Sequence, residues 1–258
     1  MDEILRTEIS DGVATLTLNR PKQMNALSAE LRLRFGEALA ALGADDSVAV
    51  VIITGAGEKA FTAGVDLKEM ETAPLTPEEL GPDSPVNRAF RELGKPTIAA
   101  VNGFAITGGM ELAINCDILV ASTNARFADT HARVGIVPGW GMSQILPRLI
   151  GPVRARYMSF TGNFVDAATA KAWGLVLDVL PPADLLPFCQ KMGREIASCD
   201  RATLADVRRA IAGGLETTLA EGLALEGRLS KAATVRLDRA RFAATREAVM
   251  SRGKEQST

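Results

Sequence analysis

Residues 101–117, VNGFAITGGMELAINCD, constrain this chain more than any other stretch. Val101 closes an apolar run, Thr97, Ile98, Ala99 and Ala100, which follows the breaker pair Lys95-Pro96 and reads as a buried strand. Asn102-Gly103 is turn chemistry. Gly108-Gly109 then leads into Met110, Glu111, Leu112, Ala113 and Ile114, residue types that favour helix, so the two glycines fall where a helix N-terminus opens. Free backbone N–H groups and the positive end of the helix dipole meet there, and residues without Cβ let a ligand approach the backbone. Glu111 in the first turn sets a carboxylate beside that anion site. The same pattern also serves as a plain tight connection in which Glu111 only complements the dipole.

A second turn of this kind lies upstream. Residues 48–54 form an unbroken apolar run rich in β-branched types, which predicts a strand buried on both faces and ended by Gly55-Ala56-Gly57. KAFTAGVDLKEM, residues 59–70, is again a strand-to-helix turn with Gly64 at its crux. Two such turns can aim two backbone N–H groups at one oxygen. Before them, residues 4–9 and 13–18 predict a β-hairpin around Ser10-Asp11-Gly12, and Ser28 predicts an N-cap for a helix to about residue 42 with Leu31, Phe35, Ala38, Leu39 and Leu42 as its apolar stripe. Residues 71–85 are broken by Pro74, Pro77, Pro82 and Pro85 and read as a mobile loop or short helical insert, helical only around 78–80. Residues 88–93 predict a helix and 118–121 a strand. Pro138 predicts a helix over 139–150, Pro152 opens another, and Asp166 caps a third that stops at Trp173-Gly174 before a last strand, 175–180. From Ala183 the patterns are helical, broken mainly at Gly213-Gly214, and end in a polar tail from Ser251 through Arg252 and Gly253. Strands alternating with helices predict an α/β core with a C-terminal helical region.

Composition narrows the chemistry. With 258 residues, 47% hydrophobic and 23% charged, the chain can bury a substantial core. A net charge of −2 gives no general attraction to nucleic acid or an anionic membrane, so a polyanionic ligand must be held by a local group of Lys and Arg. MDEILRTEIS carries charges where a signal peptide needs an apolar core, no apolar run approaches the ~20 residues of a membrane span, and no peroxisomal tripeptide ends the chain. A cytoplasmic location is expected. Cys116, Cys189 and Cys199 are too scattered for a disulfide framework or a zinc site and are expected to be reduced and mostly structural. There is no GxGxxG after the first strand, no GxxxxGK[ST] and no GxSxG, and a single histidine, His131, with dispersed carboxylates makes no metal ligand set. An oxyanion site with acid/base residues is the chemistry left.

Five blocks carry a resemblance: LNRPKQMNALS, AFTAGVDLKEM, KPTIAAVNGFAITGGMELAINCDI, FADTHARVGIVPGWGMSQILPRLIG and MSFTGNFVDAATAKAWGLV. In this order and at this spacing the chain resembles the enoyl-CoA hydratase/isomerase, or crotonase, superfamily over nearly its whole length. The resemblance implies a crotonase-like spiral of ββα units over residues 1–195 and a C-terminal helical region over 196–258 that forms trimers, commonly with two trimers stacked. It implies a coenzyme A thioester as substrate, with no separate cofactor and no metal.

Carried over by position, the resemblance makes the backbone N–H groups of Val65 and Gly108 the oxyanion hole. Ala63, Asp66, Leu67 and Lys68 in the AGVDLK block, and Lys22 with Met24 in the first, fall at substrate and coenzyme A positions. Asp66 reads equally as a helix cap, and both lysines equally as solvated surface. Family hydratases use two glutamates that share a water, one orienting it for attack at Cβ and the other delivering a proton to Cα. Glu111 matches the first. The second falls on His131, whose imidazole can also donate and accept protons near neutrality. Trp140 and residues 71–85 fall where the acyl pocket would be shaped, although a large aromatic can equally be core. Addition of water to a trans-2-enoyl-CoA is the leading expectation. Isomerisation, decarboxylation or thioester hydrolysis by the same enolate, and acyl-CoA binding without efficient catalysis, are the alternatives that the exchange at His131 opens.

Overall fold

Asp11 and Gly12 both take positive φ, 52° and 77°, the geometry of a two-residue hairpin turn, and so β1 (Leu5–Ser10) and β2 (Val13–Leu18) pair antiparallel around them. The computed structural model to which they belong describes residues 3–237, 242, 245–246 and 249–252. It divides into two units, Met1–Cys199 and Asp200–Thr258.

In the first unit α1 (Ala29–Ala44) starts on Ser28, whose Oγ accepts the Leu31 N–H at 3.2 Å, and it buries Leu31, Phe35, Leu39 and Leu42. The chain then passes three times from a large sheet into a small one. β3 (Val50–Gly55) is followed by β4 (Ala60–Thr62), α2 (Leu67–Met70) and α3 (Pro85–Leu93). β5 (Thr97–Val101) is followed by β6 (Phe104–Ile106) and α4 (Gly108–Ile114), and β7 (Ile118–Ser122) by β8 (Arg126–Ala128) and a 3-10 turn, His131–Val134. α5 (Met142–Ile150), α6 (Pro152–Thr161), β9 (Val165–Asp166), α7 (Ala167–Trp173), β10 (Asp178–Leu180) and α8 (Pro182–Ala197) complete the unit. The large sheet has the order β1-β2-β3-β5-β7-β10 and the small one β4-β6-β8-β9. This is the expected α/β spiral of strand, strand and helix.

The unbroken apolar runs are explained by burial on both faces of the large sheet. Along β3 and β5, Val51, Ile53, Ala99 and Val101 enter the core shared with α1, α3 and α4. Val50, Ile52, Ile98 and Ala100 face the other way, with Leu185 and Cys189 of α8. Asparagine amides close the corners where the chain leaves this sheet. Asn25 Nδ2 donates to Ala56 O and Ala60 O at 3.0 and 2.7 Å, and Asn102 Nδ2 to Gly57 O and Ala60 O at 2.6 and 3.1 Å. Asp117 ties the end of the central stretch to the first residue of β5, accepting from Thr97 N and Oγ1 at 2.8 and 2.9 Å. No cysteine forms a disulfide among the described residues, and burial pushes the Cys189 thiol up to about 12.

Several details depart from the sequence reading, among them the last strand, which is only β10 (Asp178–Leu180) and not 175–180. β6 and β8, three residues each, have no expectation behind their extent. α5 begins at Met142 rather than at residue 139, because Gly141 has φ +114°, outside the helical range. In the second unit α9 (Arg201–Leu215) runs straight through Gly213-Gly214, and the break before α10 (Leu219–Val235) comes at residues 216–218. Those glycines are a contact surface: a Cβ at Gly213 would stand 2.7 Å from Leu225 Cδ2, and one at Gly222 3.3 Å from Gly214 Cα. Ser251 and Arg252 are helical, whereas Gly253 and the remainder of the expected polar tail lie outside the described residues. Among the described residues no helix is long and apolar enough to cross a membrane.

Candidate active site

Two peptide units from distant turns meet beside the N-terminus of α4. Leu27 N–H donates to Gly64 O at 2.8 Å, and in a trans peptide the carbonyl and the N–H point in opposite directions, so Val65 N–H is aimed away from Leu27. Glu111 N–H donates to Thr107 O at 2.9 Å, which by the same rule points Gly108 N–H backward out of the helix. Neither N–H has an acceptor among the described residues. The two units touch: a Cβ on Gly108 would lie 3.5 Å from Val65 N, and one on Gly64 only 3.0 Å from Gly108 N. Gly64 also takes φ +87°, a conformation that favours glycine. Thr107, at φ 55°, is a strained non-glycine residue, a state that costs about 1–3 kcal/mol. Its Oγ1 lies 2.5 Å from Thr130 Oγ1 and its N–H donates to Ala128 O at 2.8 Å, so the surroundings hold it there.

Glu111 leaves the first turn of α4 and is 2% exposed. Its Oε1 accepts the N–H groups of Trp140 and Met142 at 2.8 and 3.1 Å. These bonds fix the turn ahead of α5 and leave Oε2 for other work. That oxygen stands 3.5 Å from His131 Nε2. His131, 6% exposed, places Nδ1 2.7 Å from Asp129 Oδ1, which also accepts the His131 backbone N–H at 3.2 Å. A carboxylate oxygen only accepts, so Nδ1 carries a proton. Burial, the largest single influence, pulls the His131 pKa down, but the hydrogen bonds to Asp129 and Glu111 and their charges outweigh it and raise it to about 9. For Asp129 burial raises the pKa, and the contacts with His131 and Ser159 overcome this and lower it. Ser159 of α6 is one of these contacts, and Asp129 Oδ2 is buried with no hydrogen-bond partner among the described residues. A carboxylate and a cationic imidazole thus stand within one proton transfer of each other, near two aimed N–H donors.

The other expected residues separate into two groups. Trp140 is 2% exposed and belongs to the main core, yet its ring also walls the site: a Cβ on Gly108 would lie 3.1 Å from Trp140 Cζ3. Its Nε1 donates to Glu79 O at 2.8 Å, while Gly81 N–H donates to Gly139 O at 2.8 Å, so the insert at 71–85 is docked on the Trp140 turn. Trp140 also lines a cavity of about 150 Å³ with Ala29, Arg32, Leu33, Glu79, Pro85 and Val86. At the other edge, Ala63 N–H donates to Met24 O at 3.0 Å, joining the first hairpin to the turn that presents Val65. Asp66 caps α2, accepting Lys68 N–H at 3.2 Å, and pairs with Arg20 Nη1 at 3.0 Å. Lys22, Leu67 and Lys68 are exposed nearby in sequence, and neither lysine side chain has a partner among the described residues. Asp129 escaped the sequence reading. Its one signal was its place two residues before the sole histidine, a spacing that lets an Asp side chain accept the N–H two residues on.

A family model described as "Enoyl-CoA hydratase/isomerase" matches residues 8–250. The chain is 37% identical over 244 residues to a protein of Arabidopsis thaliana named "Probable enoyl-CoA hydratase 1, peroxisomal", covering 95% of this chain and 91% of that one. It is 38% identical over 221 residues to the crotonyl-CoA hydratase of Syntrophomonas wolfei, covering 85% of each. A crystal structure of an enoyl-CoA hydratase from Mycobacterium tuberculosis H37Rv superposes with a TM-score of 0.75 at 40% identity, over 90% of this chain and 100% of that one.

Proposed function

The chain belongs to the enoyl-CoA hydratase/isomerase family, and on that premise we propose that it adds water across the double bond of a trans-2-enoyl-CoA. The observation that carries the reading is the approach of Glu111 Oε2 to His131 Nε2, 3.5 Å, beside the paired N–H donors of Val65 and Gly108. Those donors hold the thioester oxygen. As the water oxygen bonds to Cβ, the π electrons move toward Cα and the carbonyl, and negative charge collects on that oxygen. Removing one such donor typically costs ~10²–10³ in rate. Glu111 takes one proton of the attacking water, and the His131 imidazolium gives its Nε2 proton to Cα as the enolate returns to thioester. Protonated Glu111 and neutral His131 then face each other across the same gap, and one transfer resets the pair.

Lys22, Met24, Ala63, Asp66, Leu67 and Lys68 would line the coenzyme A side, with the two unpaired lysines toward its phosphates and Asp66 acting as the cap that shapes the turn. Trp140 and the insert would bound the acyl side. The second unit leaves Ile211, Leu215, Leu219 and Leu223 exposed, at 61, 70, 79 and 58%, an apolar face that supports assembly into trimers or pairs of trimers. We assign this work on acyl-CoA to lipid metabolism in the cytoplasm.

The test follows loss of enoyl-thioester absorbance with a short and a long trans-2-enoyl-CoA, with products weighed by mass spectrometry. The wild type should gain one water with its thioester intact, and His131→Ala should lose ~10²–10⁴ of the rate, the usual worth of a positioned proton donor. A product of unchanged mass would replace hydration by isomerisation, a cleaved thioester by hydrolysis, and binding without turnover would leave only an acyl-CoA binder. Because the imidazole must be cationic to protonate Cα, kcat/KM should hold through neutral pH and fall as pH rises through about 9.

A further inference from the structure

We propose that Asp129 is a positioning residue for the acid/base pair, holding the His131 ring through Nδ1–H so that Nε2 stays protonated and aimed at Glu111. The inference rests on the hydration reading for its kinetic consequences but on geometry for its substance. Asp129 is 1% exposed, and the structure commits its Oδ1 twice to one residue, at 2.7 Å from His131 Nδ1 and 3.2 Å from His131 N. With backbone and ring both bound to one oxygen, rotation of the imidazole would break the shorter bond. The bound Nδ1–H fixes which nitrogen is left for transfer, and that nitrogen is the one facing Glu111.

The charges around the ring come from two elements. Glu111 approaches from α4 and Asp129 from the end of β8. α6, which also packs against the turn, brings Ser159, which is neutral and contacts Asp129. Arg133, on the same 3-10 turn as His131, is exposed and donates through Nε to Thr161 O at 2.6 Å. A cation between two carboxylates gives this site a net charge of −1, and Asp129 supplies the carboxylate that takes no part in proton exchange with substrate. A dyad of one carboxylate and one held imidazolium would therefore do the work that two carboxylates do by sharing a water.

His131 is the only histidine of the chain, so histidine ring resonances in the nitrogen-labelled protein report on this one residue. In the wild type the Nδ1 proton, shifted far downfield by the carboxylate, should persist on both sides of the titration, and the Nε2 proton should be the one lost as pH rises through about 9. Asp129→Asn preserves shape and removes the charge, so the ring midpoint should fall toward the ordinary value of about 6.5. In step with it, the alkaline limb of kcat/KM should move to lower pH, and kcat should drop at least ~10-fold with KM little changed. A midpoint that does not move overturns the proposal even if hydration proceeds. A midpoint that moves in a protein without hydratase activity supports Asp129 as the holder of His131 and removes the hydration reading alone. Should Asp129→Asn fail to fold, the wild-type signal decides: a downfield Nδ1 proton supports the assignment, and a ring protonated only at Nε2 overturns it.

Discussion

Glu111→Gln is expected to lower kcat for enoyl-CoA hydration by about 10²–10⁴ while leaving the protein folded. The substitution is nearly isosteric, and an amide oxygen in the place of Oε1 still accepts the Trp140 and Met142 N–H groups, now at 2.8 and 3.1 Å, so the turn before α5 keeps its anchor. What changes is Oε2. An NH₂ group there cannot take a proton from water, and it presents a donor to the His131 Nε2–H across 3.5 Å. The residues proposed for the coenzyme A side do not include this atom, so KM should move by no more than about threefold. Steady-state absorbance assays, with a thermal melt to verify folding, measure both. A variant that retains kcat within about twofold would remove Glu111 from the chemistry.

The second large effect is on stability. Gly109 packs its Cα against β4, where an added Cβ would stand 2.1 Å from Thr62 O and 2.9 Å from Thr62 C. Backbone of a sheet strand cannot swing aside as a side chain can. Gly109→Ala must push α4 from β4, at a cost of about 3 kcal/mol or more, the upper range for overpacking. The displacement also moves Gly108 N–H relative to Val65 N–H, so the residual folded protein should lose activity too. Gly36 of α1 meets nothing within 4 Å, and Gly36→Ala should instead gain about 0.5–1 kcal/mol through helix propensity. Urea unfolding of the pair is the measurement. Equal midpoints for both variants would show that the close approach at Gly109 relaxes cheaply.

Much of the framework was legible because its signals are local. Ser28 was recognisable as a cap because side-chain oxygen and N–H lie three residues apart, and Asp166 caps α7 by the same means, accepting Thr169 N–H at 2.8 Å. β3 and β5 showed themselves as apolar runs long enough to have no alternative. β6 and β8 did not, since three residues are too few for any period to register. Pro138 pointed to a helix start that Gly141 and the carboxylate of Glu111 override, because two N–H groups that a helix start would leave open are bound to a side chain 29 and 31 residues away. Gly213-Gly214 looked like a break, yet within a helix the missing side chains serve a neighbouring helix instead.

The sequence by itself determined the order of elements, the two glycine turns and the presence of a carboxylate in the first turn after the second. It also identified the family, through motifs whose spacing is a property of the chain. Only the tertiary structure decided that Val65 and Gly108 abut, that Glu111 has one oxygen pinned and the other facing His131, and that Asp129 holds the far side of that ring. Propensities, caps and turns act between residues a few positions apart. The site joins residues from four separated segments, and the distances among them are set by sheet register and core packing, which no local pattern encodes.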